Sequence, residues 1–162
     1  MIHHILLLCM VLSYSFVIYT IKQLYINDYS ISSIICDDKC NKNIILYMSF
    51  MTFFTFMYEL MKDDNISLFL ITSLIVGIMG VLKTNEKQFS HLIYSIIAFG
   101  SILCFMFYMS FQYNNIVLIT SFIIQIVLAL FMVIFIFNNI FYIETGFLVN
   151  FAFFYIYLHF LL

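Results

Sequence analysis

Glu59, His4 and His159 are the residues in this chain whose types could most readily do chemistry, since a carboxylate gathered with imidazoles can bind a cation, relay a proton or hold a lipid head group. They lie far apart in sequence, each close to the end of an apolar run. If consecutive runs are helices of alternating direction, the start of the first, the end of the second and the end of the sixth reach the same face, together with His3 and with Gln112 at the end of the fourth. The plainer role for each is an interfacial side chain facing water or head groups.

A second set belongs to the opposite face. His91 and Ser95 are one helical turn apart and share a stripe, and Glu144 opens the last apolar run. With Glu86 and the serines of the first loop they could line a pocket, while a capping or interface role for His91 is the plainer alternative. Cys36 and Cys40 flank Asp37, Asp38 and Lys39 in that loop. They fit a short disulfide in an oxidising compartment or a pair of free thiols. A lone C-x3-C lacks the second ligand pair of a structural zinc site, so no metal is assigned. Cys9 and Cys104 fall inside apolar runs and read as small core residues.

No cofactor or catalytic set is indicated. The sequence lacks G-x-S-x-G, H-E-x-x-H, a P-loop and a glycine-rich nucleotide turn. Membrane hydrolases of the ceramidase type need several His and Asp ligands within spans, and only His3 and His4 are neighbours here. Six lysines and no arginine make no basic patch, which excludes a nucleic-acid partner.

The elements that must position these residues are apolar. Of 162 residues, 65% are hydrophobic and 9% charged, against roughly 25% charged in a soluble domain. The runs cover 2–21, 44–61, 66–82, 91–111, 116–137 and 141–162, and a bilayer core about 30 Å thick takes about 20 helical residues to cross. The third run is marginally short, and Lys62 and Lys83 can snorkel to compensate. The sixth contains Glu144 and Asn150, so five spans are the alternative count. Continuous rather than alternating apolarity rules out a barrel. The expected fold is therefore all-α: a single-domain polytopic integral membrane helix bundle over 1–162, with about six transmembrane helices and one sizeable loop at 22–43.

The first run is read as a retained helix, because it lacks a basic n-region and a clean small-x-small site. Short connections force neighbouring helices to be antiparallel. Lysine counts favour termini facing away from the cytoplasm, whereas a Cys36–Cys40 disulfide favours the reverse. At mid-depth, Gln125 and Asn150 are placed to hydrogen-bond between adjacent helices, and Gly77, Gly80, Gly100 and Ser101 offer small surfaces for close helix approach.

Four stretches resemble the damage-regulated autophagy modulator family of six-span membrane proteins. They are Tyr29-Ser30-Ile31-Ser32 after the first run, Met51 to Glu59 closing the second, His91-Leu92-Ile93-Tyr94-Ser95 with Phe99 opening the fourth, and Phe107-Tyr108 to Gln112 closing it. The family's Gly and Pro after the Ile-Ser motif are replaced by Ile34, Ile35 and the Cys36 to Cys40 stretch. The resemblance implies a non-enzymatic modulator of membrane trafficking, autophagy or lipid signalling in an endomembrane or the plasma membrane, with a luminal first loop. Its partners would be membrane lipids and proteins within the membrane. The alternative is a hydrophobic subunit of a larger respiratory or transport complex of an organellar inner membrane, encoded by an AT-rich genome. A small ion or proton channel using Glu59 and its histidines ranks third.

Overall fold

The structure, a computed structural model, describes residues 2–24, 30–31, 41–135 and 140–160. Six helices make up the regular structure of this part: α1 (Ile2–Leu24), α2 (Asn41–Leu60), α3 (Asn65–Lys83), α4 (Phe89–Tyr113), α5 (Ile116–Ile134) and α6 (Phe141–Phe160). No strand occurs among the described residues. The last four helices, α3 to α6, are long and apolar enough to cross a membrane. In hydrocarbon a helix satisfies its own backbone, which outweighs the modest helix propensity of so many Ile and Phe residues.

The helix ends follow from the few polar residues available. Asp64 accepts hydrogen bonds from the N–H groups of Ile66 (3.0 Å) and Ser67 (3.1 Å) and so starts α3, while Asp63 reverses the chain in the left-handed region at φ 47°. With this cap the third run gains a residue at each end, and its 19 residues rise about 28 Å, close to the core thickness. Asn114, also left-handed, closes α4 with its N–H on the Ser110 carbonyl. Asn115 then caps α5 by accepting from Val117 N at 2.9 Å. α5 stops at Ile134, three residues short of the expected end, and residues 22–24 and 41–43 extend α1 and α2 into the expected loop.

Helices adjacent in sequence pack against one another throughout, and α4 also meets α6. α6 is the most enclosed of the four long apolar helices and α5 the least, with 44% and 17% of their spans buried. The core is aromatic. Phe105 of α4 stacks on Tyr155 of α6 at 5.6 Å, and Phe99 meets Phe147 edge-on at 5.0 Å. Leu7, Met10, Tyr58, Ile71 and Leu118 bring α1, α2, α3 and α5 into the same cluster.

α3 and α4 approach most closely. A Cβ on Gly77 would lie 2.6 Å from the backbone nitrogen of Ala98, and one on Gly80 would enter the Tyr94 ring. Gly77 and Gly80 thus provide the expected close approach, with Ala98 as the partner surface. A Cβ on Gly100 would meet nothing within 4 Å, so its face is open. Outward, Phe69, Phe89, Phe111, Ile116, Val133 and Tyr142 are each at least 69% exposed. An apolar exterior on this scale has lipid as its natural surroundings.

Candidate functional site

Glu59 occupies the last turn of α2, and its side chain is fully enclosed, 0% exposed. Ser67 Oγ donates to its Oε2 at 2.5 Å, and the Tyr155 hydroxyl donates to Oε1. His159 Nε2 lies 3.5 Å from Oε1. Lys62 Nζ is 2.7 Å from Nδ1 and 3.3 Å from Nε2 of the same imidazole, and it sits 5.3 Å over the Tyr58 ring. The His159 ring packs between Tyr155 (4.3 Å) and Tyr58 (4.9 Å).

Local structure explains the convergence. Tyr155 and His159 are four residues apart on α6 and share one stripe. Glu59 and Lys62 straddle the end of α2, where Lys62 N bonds back to the Glu59 carbonyl at 3.1 Å. The Asp64 cap folds the chain over so that Ser67, in the first turn of α3, faces Glu59. A buried carboxylate requires a counter-charge and hydrogen bonds, and Lys62 with the two hydroxyls provides both. Burial holds the Lys62 ammonium below its ordinary range, opposed by the attraction of Glu59 and Asp64.

The Lys62 ammonium lies within reach of both ring nitrogens of His159, and the Glu59 carboxylate approaches Nε2, so the three groups form one compact cluster.

Of the residues singled out for this face, the structure brings Glu59 and His159 together. His4 is exposed on α1 and Gln112 is exposed on α4, while the His3 side chain lies outside the described residues. Tyr155, Ser67 and the direct role of Lys62 were not anticipated. The one available signal was the four-residue spacing of Tyr155 and His159.

At the opposite face Glu144, buried in the first turn of α6, accepts from the backbone N–H of Ile31 at 2.6 Å. Ser30 Oγ donates to Glu86 Oε1 at 3.1 Å. The Ile31 side chain is buried with Met51, Leu82 and Phe141. His91 is buried too, but its Nδ1 lies 3.2 Å from both the carbonyl and the hydroxyl oxygen of Thr84, and its Nε2 has no hydrogen-bond partner. Ser95 is half-buried farther along α4. Glu144 is therefore joined to the loop backbone, while His91 is joined to the end of α3. Among the described residues no three of His, Cys, Asp and Glu gather as a metal site. Cys36 and Cys40 lie outside the described residues. Cys9 is half-buried, and Cys104, read from sequence as a core residue, is exposed, because the face of α4 that carries it turns away from the core.

At mid-bundle the expected bond between α5 and α6 is present, and it extends into a network. Asn150 Nδ2 donates to Gln125 Oε1 at 2.5 Å and to the Ser121 carbonyl at 2.9 Å. Ser121 Oγ donates to Asn150 Oδ1 at 2.9 Å, and Gln125 Nε2 donates to the Phe147 carbonyl at 3.0 Å. A shallow groove of about 240 Å³ lies beside it, lined by Ile116, Thr120, Ile124 and Phe153 among others.

No protein family, curated protein or solved structure matches the chain.

Proposed function

We propose that this chain is a non-enzymatic, multi-pass membrane protein with all six helices crossing the bilayer, acting through lipids and membrane-embedded partners. The reading rests on one observation: the outer surface is built of large exposed apolar side chains on every long helix, while the buried Glu59 and Gln125 side chains are bound by groups of neighbouring helices. Such a body offers its surroundings a lipid-facing surface and two polar ends. The resemblance of the Ile-Ser stretch at Ser30 and of the His91 to Ser95 stretch to the autophagy-modulator family supports an endomembrane or plasma-membrane role in trafficking or lipid signalling.

The test is purification of the full chain from its native membrane in mild detergent, with measurement of mass and co-purifying lipid. A folded, monodisperse chain carrying phospholipid is the expected result. A chain that is stable only in fixed ratio with a large assembly would overturn the proposal in favour of a respiratory or transport subunit.

A further inference from the structure

The Glu59 cluster seats two basic side chains against one enclosed carboxylate. Lys62 Nζ lies 2.7 Å from Nδ1 and 3.3 Å from Nε2 of His159, and Glu59 Oε1 lies 3.5 Å from Nε2. Two unit charges this close repel strongly even at the effective dielectric of a protein interior, so Lys62 and His159 share a single positive charge. With Glu59 ionised the three groups are neutral as a set. One more proton breaks that balance, because one carboxylate offsets one cation.

We infer that His159 is an acid-triggered latch: when its imidazole takes up a proton it becomes the partner of Glu59 and expels Lys62 from the cluster toward the polar face. This rests on the proposed spanning arrangement only in placing the α2–α3 turn at a membrane face. The step is the uptake of one proton from water by the bare ring nitrogen, and it needs no further reactant. Both ring nitrogens then carry hydrogen, so neither can accept from an ammonium. Nε2–H becomes a charge-assisted donor to Glu59 Oε1. Lys62 leaves with its own protons, and the cluster it leaves behind is a neutral imidazolium–carboxylate pair.

Burial decides which cation goes. The side chains of Glu59 and His159 are 0% and 2% exposed, whereas Lys62 is half-buried in the turn, between exposed Met61 and exposed Asp63. The His159 ring is held between Tyr155 at 4.3 Å and Tyr58 at 4.9 Å, while the Lys62 ammonium ends a flexible four-carbon stem. Asp64 already attracts Lys62 from the cap of α3, and burial works against the ammonium where it now sits. Moving outward keeps the first and relieves the second.

The neighbouring groups leave the imidazole as the trigger. Tyr14 from α1 and Tyr58 from α2 face Glu59 as phenols, with Tyr113 of α4 beyond Tyr58. Ser67 of α3 and Tyr155 of α6 donate their hydroxyls to Glu59, and Tyr108 of α4 donates to Asp64 at 3.3 Å. Asp63 lies in the turn itself. Of the side-chain types gathered here, imidazole is the one whose charge ordinarily changes between about pH 5 and 8.

The experiment is magic-angle-spinning NMR of the full chain in phospholipid bilayers, labelled with ¹⁵N-histidine and ¹³C,¹⁵N-lysine and compared at about pH 8 and about pH 5. The sequence contains four histidines and six lysines, few enough for His159→Gln and Lys62→Gln to assign the two signals by their loss. At the higher pH the Lys62 ammonium should show a dipolar contact to the His159 ring. At the lower pH the ring should give the ¹⁵N signature of an imidazolium and the contact should vanish. Broadening of Lys62 by a water-soluble paramagnetic chelate should then rise several-fold, and in His159→Gln it should not respond to pH. A contact that is absent at the higher pH, a contact that persists on a protonated ring, or a ring still neutral at the lower pH would overturn the latch. So would an equal rise of broadening in His159→Gln. The first three readings come from the unaltered chain, so a variant that fails to fold leaves the test intact. None of them touches the purification result of the preceding section.

Discussion

Glu144 in the first turn of α6 receives the backbone N–H of Ile31 at 2.6 Å, across 113 positions of sequence. A side-chain carboxylate at the start of α6 thus pairs with a backbone group of the first loop. Glu144→Ala should leave a buried N–H unpartnered, at a cost of about 1–3 kcal/mol. The Ile31 amide should then lose its protection in hydrogen–deuterium exchange, while amides in the middle of α4 keep theirs. Unchanged exchange at Ile31 would show that the apolar packing of its side chain suffices.

Gly77→Ala should destabilise the bundle by about 1–3 kcal/mol, because the added carbon meets backbone of Ala98 that cannot turn aside. Gly100→Ala should be neutral or slightly stabilising, since its side is open and a helix favours alanine. Reversible unfolding in mixed micelles compares the two, and equal losses would contradict the packing described.

The amide network makes a quantitative demand. Asn150→Leu and Gln125→Leu should each weaken the bundle, and a double-mutant cycle should give a coupling of about 0.6–2 kcal/mol. A coupling near zero would mean that Ser121 and the Phe147 carbonyl already hold each amide on their own.

Lys62 sets a pH dependence whose sign can be worked out. Its ammonium is depressed in the folded chain by burial, so between the folded value and the ordinary one of about 10.4 the unfolded chain binds more protons. Stability from this group therefore rises with pH across that window and is flat above it. Lys62→Met should flatten the rise in thermal unfolding measured at mildly alkaline pH; an identical slope in the variant would refute the assignment.

Removing the carboxylate should be costlier than any of these. Glu59→Ala leaves the Lys62 charge without its counter-ion and two hydroxyls without their acceptor, a loss of about 3–5 kcal/mol. Tyr155→Phe removes a single donor and should cost about 1–3 kcal/mol. Thermal unfolding that ranks the two in the opposite order would contradict a carboxylate-centred network.

Much of this architecture was legible because a membrane chain has few polar residues to misread. Asp64, Asn114 and Asn115 mark turns in the sequence as they do in the fold, and alternating helix direction was enough to bring Glu59 to His159. The Gln125–Asn150 bond was legible for the same reason, since a mid-span amide needs a partner. What remained hidden depends on rotation about helix axes, which continuous apolarity does not encode. Nothing in the pattern told whether Cys104 or Gly100 faced inward, or that Ser67 rather than His4 would reach Glu59. The Ile31–Glu144 bond was hidden for another reason: its donor is backbone, present at every residue and so a signal at none.

The contact of Gly77 with Ala98 carries a mechanical consequence. Where two helices meet backbone to backbone there is no layer of side chains to shear, and the Tyr94 ring seated on Gly80 pins the pair at a second point. α3 and α4 should therefore move as one stiff plank, with compliance left to the side-chain-lined seams on either side of it. Ser67 rides on that plank while Glu59 and His159 belong to the helices that slide along it, so any flexing of the bundle is felt first as a change in the grip on a single carboxylate.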